Sequence, residues 1–194
     1  MSHLGQVVKQ RIIVGISGAS GIQYGIKLLE VLQGLPIESH LIVSKAAHQV
    51  RAVETSLTAK ALYALADTVY AHDDLACSVS SGSFMTLGMI VAPCSMKTLA
   101  EIATGLTTNA LSRAADVVLK ERRKLVLMAR ETPLTLQHIK NMQSVTEMGG
   151  IIAPPVPAFY NNPETLDDIV FHSVARVLDL FDLNLSNVKR WPLI

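Results

Sequence analysis

Arg130 and Glu131 are adjacent in this 194-residue sequence, Arg113 and Lys120 stand seven residues apart, and Arg176 falls late in a helical stretch. Guanidinium and ammonium groups gathered around one ligand form an anion clamp, and phosphate is the anion they match best. On that reading Lys120, Arg130 and Arg176 surround a phosphate, with Arg113 beside Lys120, and Tyr160 donates a hydrogen bond to it. Glu131 then protonates or deprotonates a leaving phosphate or a carbon centre, and Glu54 is a second acid/base candidate. A blander reading stays open for the helix. Asp116 lies three residues from Arg113 and four from Lys120, which equally describes a solvated stripe of ion pairs.

Such groups need a frame to hold them. Residues 12–25, IIVGISGASGIQYG, run from an apolar strand through a Gly/Ser/Ala turn into an amphipathic helix. A strand that stops at small residues and opens a helix aims backbone N–H groups and the positive end of the helix dipole at one spot, a ready anion site. Gly18 lets backbone approach a ligand, and Ser17 and Ser20 add hydroxyl donors.

The same grammar repeats along the chain. Strands are expected at residues 11–17, 38–43, 68–71, 88–92, 124–129 and 151–153. Helices are expected at 22–32, 45–54, 58–66, 96–103, 109–123, 134–148 and 166–181. The first helix turns Ile22, Ile26, Leu29 and Leu32 inward, and Thr132 with Pro133 reads as the cap and first turn of the helix from 134. Ser78 to Phe84 reads as a polar surface loop. Alternation of this kind predicts an α/β protein, a three-layer, doubly wound, mostly parallel sheet. One domain over residues 1–194 is expected, with 1–10 as an N-terminal extension and 184–194 as a C-terminal tail. Ligands of such sheets bind beyond the carboxyl ends of the strands. Ser17 and Ser20, Ser44, Ser95 through Thr98, Arg130 with Glu131, and Tyr160 all collect at that edge.

Composition narrows the ligand and the setting. A dinucleotide site would carry G-x-G-x-x-G and an acid after the second strand. Here the glycines are Gly15, Gly18 and Gly21, and Ser44 occupies the acid's place. No Gly-Lys-Ser/Thr follows the turn, which excludes a P-loop. A mononucleotide such as FMN, held by hydroxyls and amides, fits better. A net charge of +1 points to neither nucleic acid nor an anionic membrane as partner. With 49% apolar and 17% charged residues, extra surface buried between subunits is expected. No apolar run approaches the ~20 residues of a membrane span, and MSHLGQVVKQ lacks the core of a signal peptide. Cys77 and Cys94 suit a reducing cytoplasm, and the scattered histidines predict no metal site.

Several segments together carry a family resemblance: Gly15-Ile-Ser-Gly-Ala-Ser-Gly21, Ser44-Lys-Ala-Ala47, Glu54-Thr55, Ser80-Ser-Gly-Ser-Phe84, Pro93-Cys-Ser-Met-Lys-Thr98, Arg113 through Arg122, Arg130-Glu-Thr-Pro133 and Pro154 through Tyr160. In this order, over about residues 11–183, the chain resembles the UbiX-type flavin prenyltransferases, once described as aromatic-acid decarboxylases. The resemblance implies a Rossmann-like flavoprotein fold and a cytoplasmic, metal-independent enzyme. Its implied reaction joins a dimethylallyl group from dimethylallyl monophosphate to N5 and C6 of reduced FMN, a bound co-substrate. The prenylated FMN then serves a partner decarboxylase.

It further implies FMN contacts at Gly18, Ala19, Ser20, Ser44, Ser95, Met96, Lys97, Thr98 and Arg130. A prenyl-phosphate pocket is implied at Arg113, Lys120, Arg130, Glu131, Tyr160 and Arg176, with Trp191 covering the prenyl group. Proton transfer is implied at Ser20, Glu54 and Glu131, and the assembly as a homododecamer. An allylic cation developing beside a departing phosphate needs an aromatic wall and a cationic clamp, which these residue types supply.

Two alternatives compete. A flavin-dependent peptidyl-cysteine decarboxylase would use a histidine in the region of His48. A flavin-carrier subunit of a decarboxylase complex would bind FMN and lose nothing when Glu54, Lys120 or Glu131 is replaced.

Overall fold

In the computed structural model, which describes residues 9–191, the first apolar run becomes β1 (Gln10–Ile16), whose last five residues are all buried. A strand covered on both faces needs a layer on each side, and its alternating side chains divide between two cores. Ile12, Val14 and Ile16 pack with Leu28, Leu29 and Leu32 of α1 (Ile22–Gln33) and Val174 and Leu178 of α7 (Leu166–Asp179). Ile13 faces the other way. It shares a core with Leu99 of α4 (Met96–Ala103), Leu111 and Val118 of α5 (Ala110–Lys120) and Val145 of α6 (Leu136–Glu147).

The sheet has six strands in the order β3-β2-β1-β4-β5-β6, formed by β2 (Ile37–Val43), β3 (Thr68–Tyr70), β4 (Gly88–Cys94), β5 (Lys124–Ala129) and β6 (Ile151–Ile152) around β1. Every pairing is parallel. The chain leaves β1 toward β2 and β3, then returns to build β4 on the opposite side. The carboxyl ends of β1 and β4 therefore diverge into a crevice, the usual ligand position of a doubly wound sheet. The expected architecture is the observed one, and among the described residues no strand is antiparallel.

Several local expectations change. The helix after β5 starts at Leu136 and is capped by Thr135, not Thr132. Thr135 accepts from the His138 N–H while His138 Nδ1 accepts from the Thr135 N–H, both at 3.3 Å. This reciprocal pair satisfies two orphan donors, more than Thr132 and Pro133 offer, so residues 131–134 stay outside the helix. The α1 stripe also takes in Leu28, because α7 covers the helix on a second side. α3 (Ala59–Tyr63) stops short of Ala66, and α5 ends at Lys120 ahead of Arg122, whose φ is 58°.

Residues 78–84 are more than a surface loop: a 3-10 turn at Ser78–Ser80 buries Val79. Arg123 donates to the carbonyls of Gly82 (2.7 Å) and Phe84 (2.8 Å), and the Arg11 guanidinium lies 4.7 Å from the Phe84 ring centre. Residues 1–8 of the expected extension and 192–194 of the expected tail lie outside the described residues.

Candidate functional site

Two helix N-termini open into the crevice. Ser44 caps α2 (Lys45–Glu54) by accepting from Ala47 N at 3.1 Å, and Ser95 caps α4 by accepting from Thr98 N at 3.3 Å. The Ser95 hydroxyl also donates to Thr98 Oγ1 at 3.2 Å. Each serine satisfies the third N–H of its helix, and the first two have no partner inside the helix. Met96 begins α4 and packs toward the α5 core, whereas Lys97 is 81% exposed and 3.7 Å from Glu101. Gly18 is small for a local reason: a Cβ there would stand 2.4 Å from the Ala46 Cβ, so the residue lets the first turn of α2 close on the β1 loop. Ala19 beside it is buried.

Ser17 does not face a ligand. It is 1% exposed, its hydroxyl donates to Pro93 O (3.0 Å) and it accepts from Ser95 N (2.7 Å), stitching β1 to β4 at the crevice mouth. Ser17→Ala is therefore expected to lower stability by about 2 kcal/mol, the cost of stranding buried partners. Flavin affinity per folded molecule should not change. Thermal melting with a parallel FMN titration checks this, and weakened binding with an unchanged melt would return Ser17 to the ligand set.

The N-terminus of α1, expected to receive a phosphate, is held by the protein's own anion. Glu54 Oε2 accepts from Gly21 N (2.9 Å) and Ile22 N (3.2 Å), and the exposed Ser20 hydroxyl stands beside the same carboxylate. Gly21, at φ 99°, offers no side-chain cap of its own. Burial works against the Glu54 charge, but the Ser20 hydroxyl, the hydrogen bonds from Gly21 and Ile22 and the nearby Arg130 outweigh it and hold the carboxyl below its usual value. Arg130 leaves the end of β5, donates its backbone N–H to Cys94 O at 3.1 Å, and also faces Tyr24 of α1. Glu131 is exposed and accepts from Thr132 N at 3.0 Å. Ser20, Glu54 and Arg130 thus form one group at the carboxyl edge.

A second group lines a cleft of about 370 Å³ beside β6 on the α7 face, bordered by Met128, Ala153, Tyr160, His172 and Arg176. Tyr160 and His172 Nε2 share a 3.0 Å hydrogen bond, and Trp191 meets the Tyr160 ring edge-on at 5.2 Å. Arg176 pairs with Asp179 at 2.6 Å. Met128 borders the cleft, and Arg130 follows it by two residues, just past the end of β5.

Arg113 and Lys120 are not brought to either group within one chain. They lie on α5, across the sheet from α7. Lys120 precedes β5 and Arg130 follows it, so a six-residue strand, roughly 20 Å at ~3.3 Å per residue, separates the two. The ion-pair reading holds for Arg113, 2.7 Å from Asp116, while Lys120 pairs with Glu121 and stands beside Gly82. His48 shares a 2.8 Å hydrogen bond with the Tyr63 hydroxyl.

Sequence reasoning passed over Asp179 and His172. Their spacing from Arg176, three and four residues along one helix, was the available signal. Among the described residues no three His, Cys, Asp or Glu side chains converge as a metal site would need, and no helix is long and apolar enough to cross a membrane.

A family model described as Flavoprotein matches residues 1–178. The chain is 56% identical over 182 residues to the flavin prenyltransferase UbiX of Neisseria meningitidis serogroup B, covering 94% of this chain and 96% of that one. It is 53% identical over 185 residues to the UbiX of Escherichia coli K12, with 94% and 98% covered. Among solved structures, a dodecameric FMN-dependent UbiX-like decarboxylase from Escherichia coli O157:H7 superposes with TM-score 0.92 at 51% identity, covering 94% and 100%. The structure of AnUbiX (PadA1) in complex with FMN and dimethylallyl pyrophosphate superposes with TM-score 0.94 at 49% identity, covering 96% and 99%. The cysteine decarboxylase TvaF, at 17% identity and TM-score 0.61, shares the fold alone.

Proposed function

The chain belongs to the flavoprotein family and, within it, to the UbiX-type flavin prenyltransferases, and from that premise we propose that it transfers a dimethylallyl group from dimethylallyl monophosphate to N5 and C6 of reduced FMN. The observation that carries this reading is the gathering of Ser20, Glu54 and Arg130 at the carboxyl edge, where Arg130 stands two residues past Met128, which borders the Tyr160–Arg176 cleft.

The donor set suits a flavin mononucleotide. Ser44 with the start of α2, and Ser95 and Thr98 with the start of α4, offer hydroxyls and unpaired helix N–H groups to its phosphate. The α1 terminus, filled by Glu54, is left for the reacting end. Bound and reduced, the flavin supplies the nucleophilic N5 and C6. The chain does the rest. Arg130, Arg176 and Tyr160 receive the departing phosphate, which takes the electrons of the broken C–O bond. Trp191 and Tyr160 wall the allylic cation. The second bond consumes the double bond of the dimethylallyl group, whose other alkene carbon takes a proton while N5 and C6 would each lose one. Glu54, kept ionised, takes up a proton and returns it to that carbon, and Glu131 beside Arg130 passes the other to the phosphate. No step calls for a metal, because the cationic side chains already offset the leaving charge.

The clamp is completed across subunits. Lys120 and Arg113 reach a phosphate held by another chain only in an assembly, and a homododecamer like that of the Escherichia coli O157:H7 relative supplies one. Exposed Leu134, Leu136, Ile139, Val156 and Phe159 give such contacts apolar surface to bury. The proposal extends to one domain over the chain, a cytoplasmic setting, and delivery of the prenylated flavin to a partner decarboxylase.

The experiment is anaerobic incubation of the protein with reduced FMN and dimethylallyl monophosphate, followed by mass analysis of the released flavin. Flavin heavier by one five-carbon unit is the expected result. Unaltered FMN that stays bound would favour the carrier reading.

A further inference from the structure

Asp179 ends α7, is 12% exposed, and carries one negative charge between two arginines. Arg190 grips it with both prongs, Nη1 to Oδ2 at 2.7 Å and Nη2 to Oδ1 at 2.8 Å, while Arg176 reaches only the shared Oδ2, at 2.6 Å. A two-pronged guanidinium–carboxylate pair is the stronger and more directional of these arrangements. Arg190 therefore holds the carboxylate, and the remaining N–H groups of Arg176 stay available on the cleft that it borders.

The residues flanking Arg190 are fastened too. Lys189 Nζ donates to Asn161 O at 3.3 Å, and Trp191 lies edge-on to Tyr160. Three consecutive tail residues thus each engage the frame of the cleft. Arg190 supplies the one fixed ion pair among these contacts.

We propose that Arg190 is a positioning residue for prenyl-phosphate binding: by taking both oxygens of Asp179 it confines Arg176 to a single-pronged contact that leaves its other N–H groups for the phosphate, and by pinning the tail it sets Trp191 against Tyr160 as the wall of the prenyl site. This rests on the reading that the cleft receives the prenyl phosphate. The Asp179 carboxyl is held below its usual value by the Arg190 hydrogen bond first and, against the opposing effect of burial, by the charges of both arginines, as a competed anion should be. Without Arg190, Asp179 keeps only Arg176 in this set, and both of its oxygens then compete with the ligand for the Arg176 N–H groups.

Trp191 is the one tryptophan of the chain, so its fluorescence reports the docking of the tail without any turnover. Arg190→Ala in the full-length protein should raise acrylamide quenching of Trp191. It should also weaken dimethylallyl monophosphate binding to the FMN-loaded protein by about tenfold, the value of one charge-assisted contact. Adding Asp179→Asn to that variant should recover the affinity, because Arg176 is released, yet leave the quenching high, because the tail is still undocked. Arg190→Lys, which keeps the charge but not the fork, should fall between. Calorimetry of ligand binding needs no reaction. A wild type that binds the ligand and makes no product would overturn the prenyl-transfer reading and leave this assignment standing on its own measurements. Unchanged quenching in Arg190→Ala, or a double variant that binds as poorly as the single one, would overturn it.

Discussion

Glu54→Gln should leave FMN bound and slow prenyl transfer by about a hundredfold or more, the range expected when a positioned proton acceptor is neutralised. The carboxylate touches the Gly21 and Ile22 N–H groups and the Ser20 hydroxyl, and Arg130 lies close by. An amide oxygen can still accept from those donors, so α1 keeps its cap in outline. What disappears is the charge. At a helix N-terminus that charge contributes about 0.5–1 kcal/mol, so the variant should melt a few degrees lower near neutral pH.

The pH dependence follows from the direction of the shift. The folded-state pKa of Glu54 lies below its ordinary carboxylate value. Its stabilisation is therefore complete above the unfolded value and is lost as pH falls through the lower folded one. The gap in melting temperature between wild type and Glu54→Gln should be full at pH 7 and closed well below about pH 4. A single-turnover rate and two melting curves test both halves. A normal rate with the melting gap intact would make Glu54 a helix cap and nothing more.

That double role marks where the sequence stops being readable. Buried parallel strands show as unbroken apolar runs, and β5 and α4 lie where their residue patterns put them, at Lys124–Ala129 and Met96–Ala103. Ser44 and Ser95 were legible as small polar residues ending strands, because a strand-to-helix turn and an N-cap ask for the same residue type. Glu54 closing α1 from 33 residues away left no local trace, since a tertiary cap depends on how two helices are placed. Ser17 and Ser20 look alike in a Gly/Ser turn, yet three residues of backbone direction send one into the β1–β4 seam and the other to the surface. Thr132 and Thr135 are both acceptable caps, and only His138 decides between them.

Arg113 and Lys120 share a helix, as their spacing on nearly one face implies, but the sequence does not show Lys120 as distant from Arg130. Ten residues are a short interval in sequence, and here they include a strand that carries the chain from one edge of the sheet to the other. That strand leads to the second large effect. If Lys120 and Arg176 serve one phosphate from different chains, Lys120→Ala and Arg176→Ala should each lower prenyl transfer by about a hundredfold, the loss seen when one charge-stabilising donor is removed.

Co-expressed in one assembly, the two variants should complement each other. With random mixing, half the subunits keep Lys120 and half keep Arg176, so about one quarter of the shared sites regain both. Activity should return to that fraction of wild type, more than tenfold above either parent. Separating mixed oligomers by two different tags and assaying each fraction gives the answer. Mixed assemblies no more active than their parents would mean that the two residues act within one chain or that one of them never meets the phosphate. Lys120 on α5 and Arg176 on α7 lie on opposite faces of the sheet, which leaves the first of these no route within this fold, so that outcome would remove Lys120 from the clamp.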